Sequence, residues 1–241
     1  MRATRSRPSI HTSPAMRLET VLESTIGKKV VMASTGLIGV AFVIVHAAGN
    51  LQAFAGKEKL NAYSALLHGP LAELLWIARV VLLASVALHV LMAVTLWVRS
   101  RAARPVGYAK RKPQTSTIAS RTIRVGGLLL LAFIVFHILH FTTGTIDPAG
   151  VADVEDVPGR RDIYGNIVGS FHIGWVAVIY IVAMFALGLH LYHGVWSSAR
   201  TLGHARPSPA PLRRPLATGI AVAVWLAFTL VPVGVIVGLI R

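Results

Sequence analysis

The chain has no cysteine in its 241 residues. That excludes a disulfide, a c-type haem attachment and a cysteine-ligated iron–sulfur cluster, so any cofactor must be held by histidine, carboxylate, amide or backbone. Charge is scarce as well, at 14% of residues, and acid is the scarcer sign, with 9 Asp and Glu against 24 Lys and Arg. With 54% hydrophobic residues and a mean hydropathy of +0.65, there is too little polar surface to wrap a soluble core of this size. No phosphate-binding glycine loop, serine hydrolase elbow or internal repeat stands out. A cleaved signal peptide is not expected either, because the first apolar run begins near Val30, is too long for an h-region and lacks a small-residue cleavage site.

What the chain does have is long apolar runs. They cover Val30 to Gly49, Leu71 to Val98, Val125 to Thr143, Val168 to Trp196 and Leu216 to Ile240. Each is near or above the roughly 20 residues a transmembrane helix needs. The expected fold is an all-α, up-and-down membrane bundle of five helices, at about 28–54, 71–98, 122–144, 168–197 and 215–240. Residues 1–16 read as a basic disordered tail, and 17–241 as the membrane domain. Leu18, Val21, Leu22 and Ile26 have the spacing of a short amphipathic lead-in or of a frayed extension of the first helix. The fifth helix has no histidine, should pack on the others or on lipid, and should kink at Pro232.

A net charge of +15 invites a nucleic-acid reading, but the cations sit in the connections between spans, not on a soluble face. Topology explains them better, and no nucleic-acid partner is expected. The amino-terminal arm, the second connection (Arg99 to Arg124) and the fourth (Arg200 to Arg214) hold most of them. By the positive-inside rule those segments and the amino terminus are cytoplasmic, the carboxy terminus is outside, and the acidic third connection is external. The expected location is the cytoplasmic membrane of a bacterium.

Histidine carries the chemistry. His46 lies 11 residues before Lys57, while His89, His137 and His190 each lie 10 before Arg99, Asp147 and Arg200, the charges that close their spans. A lone membrane histidine often only bonds a neighbouring helix. Four at matching depth on four helices point instead to two haem sites. The first and third helices run outward and the second and fourth inward, which pairs His46 with His137 near the outer face and His89 with His190 near the inner. The two irons would differ in height by roughly 10–15 Å. His140 and His193 follow three residues after His137 and His190 and share their faces. They are expected nearer the surface, bonding a propionate or a quinone carbonyl, or snorkelling.

Several stretches of the chain carry a resemblance. Ser24-Thr25-Ile26-Gly27-Lys28-Lys29, Met32-Ala33, Thr35-Gly36-Leu37, and His46 with Gly49-Asn50-Leu51 resemble the opening of the five-helix, di-haem cytochrome b anchor of succinate dehydrogenases and fumarate reductases. Asn61-Ala62-Tyr63 before His68, Phe136-His137-Ile138-Leu139-His140-Phe141, and His190-Leu191-Tyr192-His193-Gly194-Val195-Trp196 resemble its later stretches. Coverage runs from about Ser24 to the end.

The resemblance implies a membrane subunit that docks a flavoprotein and an iron–sulfur subunit on the cytoplasmic side. It would pass their electrons through two b haems to a quinone, the menaquinone-linked type being the nearest match. The family's axial ligands carry over to His46, His89, His137 and His190. Some relatives have a proton-path glutamate two residues before the fourth-helix ligand; Gly188 stands there in this chain, which speaks against such a path. Ser85 and backbone carbonyls are candidate acceptors for the ligand N–H groups. Lys28, Lys29 and Arg99 could meet inner propionates. Arg79, in the outer half of an apolar helix, could meet outer ones or snorkel towards the outer headgroups. Tyr63, His68, Glu73 and Arg79 are the candidate quinone residues, with Glu73 a candidate proton donor, or else a carboxylate that only complements a helix dipole.

Two other readings remain open. An anchor of another quinone-linked dehydrogenase or a hydrogenase would share haems, quinone and a docked partner. A cofactor-free transporter would use the same His and Arg to line a pathway.

Overall fold

The computed structural model describes residues 23–104, 106, 116–146, 149, 162–204 and 214–241. The basic tail, Leu18, Val21 and Leu22 of the lead-in, Lys110, Arg111 and Lys112, and the acids Asp147, Asp153, Glu155 and Asp156 lie outside them. The described residues form seven α-helices: α1 (Thr25–Asn50), α2 (Lys57–His68), α3 (Ala72–Ala102), α4 (Ile118–His137), α5 (Ile163–His172), α6 (Gly174–Thr201) and α7 (Pro215–Ile236). A 3₁₀ turn, Leu51–Ala55, extends α1, and a π turn, Ile138–Thr142, extends α4. Five of these helices, α1, α3, α4, α6 and α7, are long and apolar enough to cross a membrane. The five-span, all-helical expectation holds.

Helix ends follow local capping. Ser24 caps α1 by accepting from the Gly27 N–H at 2.9 Å, so the helix starts a turn before the apolar run. Thr117 and Ser120 form a reciprocal capping box, which starts α4 at Ile118 instead of near 122. Pro215 opens α7, where its missing N–H costs nothing. That helix runs through the buried Pro232 to Ile236, short of the expected 240.

Two short helices were not expected. Gly56, at φ 95°, turns the chain from the 3₁₀ segment into α2, a conformation that suits glycine. The run expected as one helix at 168–197 is two, because Ile173 is extended at φ −82° and ψ 105° and separates α5 from α6. An anchor upstream holds α5 apart. Asp162 caps it through the Gly165 N–H at 2.9 Å, accepts from Asn61 Nδ2 at 2.8 Å, and pairs with Lys57 at 2.7 Å. Asn61 in turn accepts from the Tyr164 N–H at 3.1 Å, so α2 and α5 are clasped together.

Packing is uneven along the bundle. Helix α6 packs most extensively, against α7, α4 and α1; α3 packs on α1 and makes no extended contact with α4 or α6. The main apolar core sits at the end where α2 and α5 lie, around Ala53, Leu60, Phe171, Val176, Tyr180 and Val235. Outward, Trp76, Ile77, Val80 and Leu83 of α3 and Val178, Val182 and Phe185 of α6 are exposed, as a lipid-facing surface requires.

Candidate functional site

The four histidines singled out by their spacing meet in two pairs. The rings of His46 on α1 and His137 at the end of α4 are 5.8 Å apart, edge to face. Those of His89 on α3 and His190 on α6 are 6.1 Å apart, tilted by 56°. Each pair joins helices that make no extended backbone contact: α1 with α4, and α3 with α6. The pairs sit at different depths. Gly36, beside the His89 ring, lies ten residues before His46 on the same helix, about 15 Å along its axis.

The surroundings fix ring orientation. His89 Nδ1 is 2.9 Å from the Met32 carbonyl, and since a carbonyl only accepts, the proton is on Nδ1 and Nε2 is left free. Of the two kinds of acceptor expected for this ring, the backbone carbonyl is the one present; Ser85 is buried nearby on α3. His137 Nδ1 is 3.2 Å from the Tyr180 hydroxyl. His190 Nδ1 is buried with no hydrogen-bond partner among the described residues. Next to it, α4 and α6 border an apolar crevice of about 190 Å³ whose polar lining groups are Thr122 and His190.

Aromatic and small residues complete the walls. Phe42 stacks on His46 at 5.2 Å, Phe228 of α7 approaches it at 5.6 Å, and Phe133 stacks on His137 at 5.8 Å. Gly36 has no Cβ, which would otherwise stand 3.1 Å from His89 Cε1. Gly188 faces Trp225 of α7, where a Cβ would be 3.3 Å from the Trp225 Cβ. A side chain there would have to displace Trp225 by a few tenths of an ångström.

His140 departs from expectation. It is neither superficial nor snorkelling but buried at 3% exposure, with Nδ1 3.0 Å from the Tyr180 hydroxyl and Nε2 3.0 Å from Ser170 Oγ. The reason is α5, which lies over this end of the bundle and supplies Ser170. His193 is half-buried and bonds Ser197 Oγ at 3.2 Å. Near it, Arg214 is buried, with its guanidinium 4.8 Å from the Trp196 ring and 5.6 Å from Tyr192.

The remaining candidates divide. His68 and Arg79 meet: Arg79 Nη2 is 3.4 Å from His68 Nε2, while His68 Nδ1 donates to the Ser64 carbonyl at 2.9 Å. The Arg79 guanidinium also lies 4.9 Å from the Trp76 ring. The Tyr63 ring turns the other way, against Gly49 of α1. Glu73 is exposed in the first turn of α3, where a carboxylate complements the helix dipole. At the opposite end, Arg99 donates to the Glu23 carbonyl at 2.8 Å, Lys28 is half-buried, and Lys29 is exposed.

The residues that spacing did not reveal are Tyr180, Ser170, Met32 and Phe228. Tyr180 had a weak signal, being a hydroxyl near the middle of an apolar span. Met32 had none, because it acts through its carbonyl. Among the described residues no group of three or more His, Asp or Glu side chains is placed to chelate a metal. A metal held by either histidine pair must therefore bring its other donors with it. The comparisons with known proteins give no help, since no family model, curated protein or solved structure matches the chain.

Proposed function

We propose that the chain is the cytochrome b membrane anchor of a succinate dehydrogenase complex, taking electrons from an iron–sulfur subunit and delivering them to a quinone, menaquinone being the species the resemblance favours. The observation that carries this reading is the two facing histidine pairs at two depths. Two imidazoles bound end-on to one iron, at about 2 Å each, hold their ring centres about 6 Å apart. Separations of 5.8 and 6.1 Å fit that requirement. So does the donor set, because a porphyrin brings four equatorial nitrogens and needs only two axial ligands from the protein.

Haem b at each pair would supply reversible one-electron chemistry. His46 and His137 would hold the outer group, and His89 and His190 the inner. The Met32 carbonyl holds the His89 ring by its Nδ1–H and keeps Nε2 on the ligand side. Phe42, Phe133 and Phe228 wall the His46/His137 pair with aromatic rings. Arg79 and His68 form a polar patch to which a quinone carbonyl would bind, on the outer side in this orientation, while Tyr63 is turned away against Gly49. The basic connections after α3 and α6 face the cytoplasm in this orientation and offer the docking side for the flavoprotein and iron–sulfur subunits.

Redox titration of the purified chain by difference spectroscopy tests the proposal. Two b-type components are expected. His46→Ala or His137→Ala should remove one and His89→Ala or His190→Ala the other. A chain that purifies without haem would sink the reading in favour of a cofactor-free transporter. Copurification with a soluble subunit other than a flavoprotein and iron–sulfur pair would point to a different dehydrogenase or a hydrogenase.

A further inference from the structure

Beyond the axial histidines, the end of the bundle covered by α5 holds a continuous hydrogen-bonded chain. The Tyr180 hydroxyl lies 3.2 Å from His137 Nδ1 and 3.0 Å from His140 Nδ1, and His140 Nε2 lies 3.0 Å from Ser170 Oγ. Tyr180, His140 and Ser170 are 6%, 3% and 2% exposed. They come from α6, the π turn after α4, and α5. The Tyr180 ring is held edge-on by Phe133 and Phe171, both at 5.0 Å, and by Phe141 at 5.7 Å, so its hydroxyl has one place to be. We propose that Tyr180 is a positioning residue for His137, its hydroxyl accepting the His137 Nδ1–H and its own proton pinned by His140, so that it sets the redox potential of the haem held by the His46/His137 pair. This rests on the haem reading above.

The polarity of the chain follows from proton counting. A phenol carries one proton, so it can donate to only one of the two imidazoles, while its oxygen can accept from either. A neutral imidazole that binds metal through Nε2 carries its proton on Nδ1, which makes His137 the donor and Tyr180 Oη the acceptor. The Tyr180 proton must then go to His140 Nδ1. His140 is left with its proton on Nε2 and gives it to Ser170 Oγ. This assignment runs from His137 through Tyr180 and His140 to Ser170.

The consequence is electronic as well as geometric. An acceptor on the distal N–H makes an axial imidazole a stronger donor to iron and favours the oxidised metal. Removing the acceptor leaves a buried donor without a partner and weakens that donation. The His89 ring has a backbone carbonyl in the same role, which no side-chain substitution removes. Among the described residues, His137 is the one of the four paired histidines whose ring nitrogen meets a tyrosine hydroxyl.

Redox titration of the purified complex carrying Tyr180→Phe, which keeps the aromatic packing, tests this. The expected result is two b components, with the potential of the one lost in His137→Ala moved to a more positive value and the other unchanged. His140→Gln keeps Tyr180 in place but weakens the group that pins its proton, and should move the same component by less. Unchanged potentials in both variants, or a shift confined to the component lost in His89→Ala, would overturn the role of Tyr180 and leave the haem reading standing. A parent complex without two b components would overturn the haem reading itself.

Discussion

His89 donates from Nδ1 to the backbone carbonyl of Met32 at 2.9 Å, tying α3 to α1 beside the position where α1 carries Gly36. A Cβ at Gly36 would stand 3.1 Å from His89 Cε1 and 3.3 Å from Nδ1. The bond to Met32 leaves the ring little freedom to retreat. Gly36→Ala therefore sets two effects against each other: helix propensity gains about 1 kcal/mol, while the ring is pushed from its place opposite His190. We expect the variant to accumulate as well as the parent but to show a weakened or shifted spectrum for the His89/His190 component alone. An unaltered spectrum would mean that the ring adjusts without cost.

Asp162 holds the α2–α5 clasp. Burial pushes its carboxyl upward, but the hydrogen bonds from Asn61 and the Gly165 N–H, with the Lys57 ammonium, outweigh burial and hold it below its ordinary value. Asp162→Ala loses a helix cap and a charge-assisted bond, together about 2–3 kcal/mol. Lys57 is 58% exposed, so its ion pair adds little to that. Since the folded-state value is the lower one, the contribution is fully present above the unfolded value of about 4 and is lost as pH falls through the folded value. Thermal melts in detergent should show a gap between parent and variant near neutrality that narrows below about pH 4. A gap independent of pH would show that the charge does not matter.

Arg79 and His68 should govern quinone affinity if the patch they form takes the quinone carbonyl. Removing one such bond in Arg79→Gln should raise the quinone KM about tenfold, equivalent to about 1.4 kcal/mol. Succinate-dependent reduction of a soluble acceptor that takes electrons from the partner subunits should be unaffected. A fall in both activities would locate the defect in assembly.

If quinone is reduced near the outer face with electrons arriving from the cytoplasm, as proposed, a potential positive outside assists the reaction by about 2.3 kcal/mol per charge per 100 mV. Uncoupling intact cells should then slow respiration on succinate. Faster respiration would place quinone reduction on the other side.

Much of the fold was legible because hydropathy acts locally. The five spans stand out as apolar runs, while the caps at Ser24 and Thr117, which start two of them three or four residues earlier than expected, came from the structure. The two short helices were not legible. The residue that separates α5 from α6 is Ile173, whose side chain is at home in a helix, and what holds α5 apart is Asp162 bonded to Asn61 and Lys57 about a hundred residues away.

For the site, the sequence by itself determined which histidines could pair, because helix direction and a spacing of ten or eleven residues from each closing charge put His46 with His137 and His89 with His190. Depth along a helix is a one-dimensional quantity, and residue counting measures it. Tertiary structure alone decided what surrounds those rings. His140 looked superficial by counting, yet α5 folds over it and Ser170 bonds it. The Met32 carbonyl, the Tyr180 hydroxyl and Phe228 reach their histidines only through the way α1, α3, α4, α6 and α7 are rotated against one another. Rotation about a helix axis is settled by side-chain packing across the bundle, which no local pattern encodes.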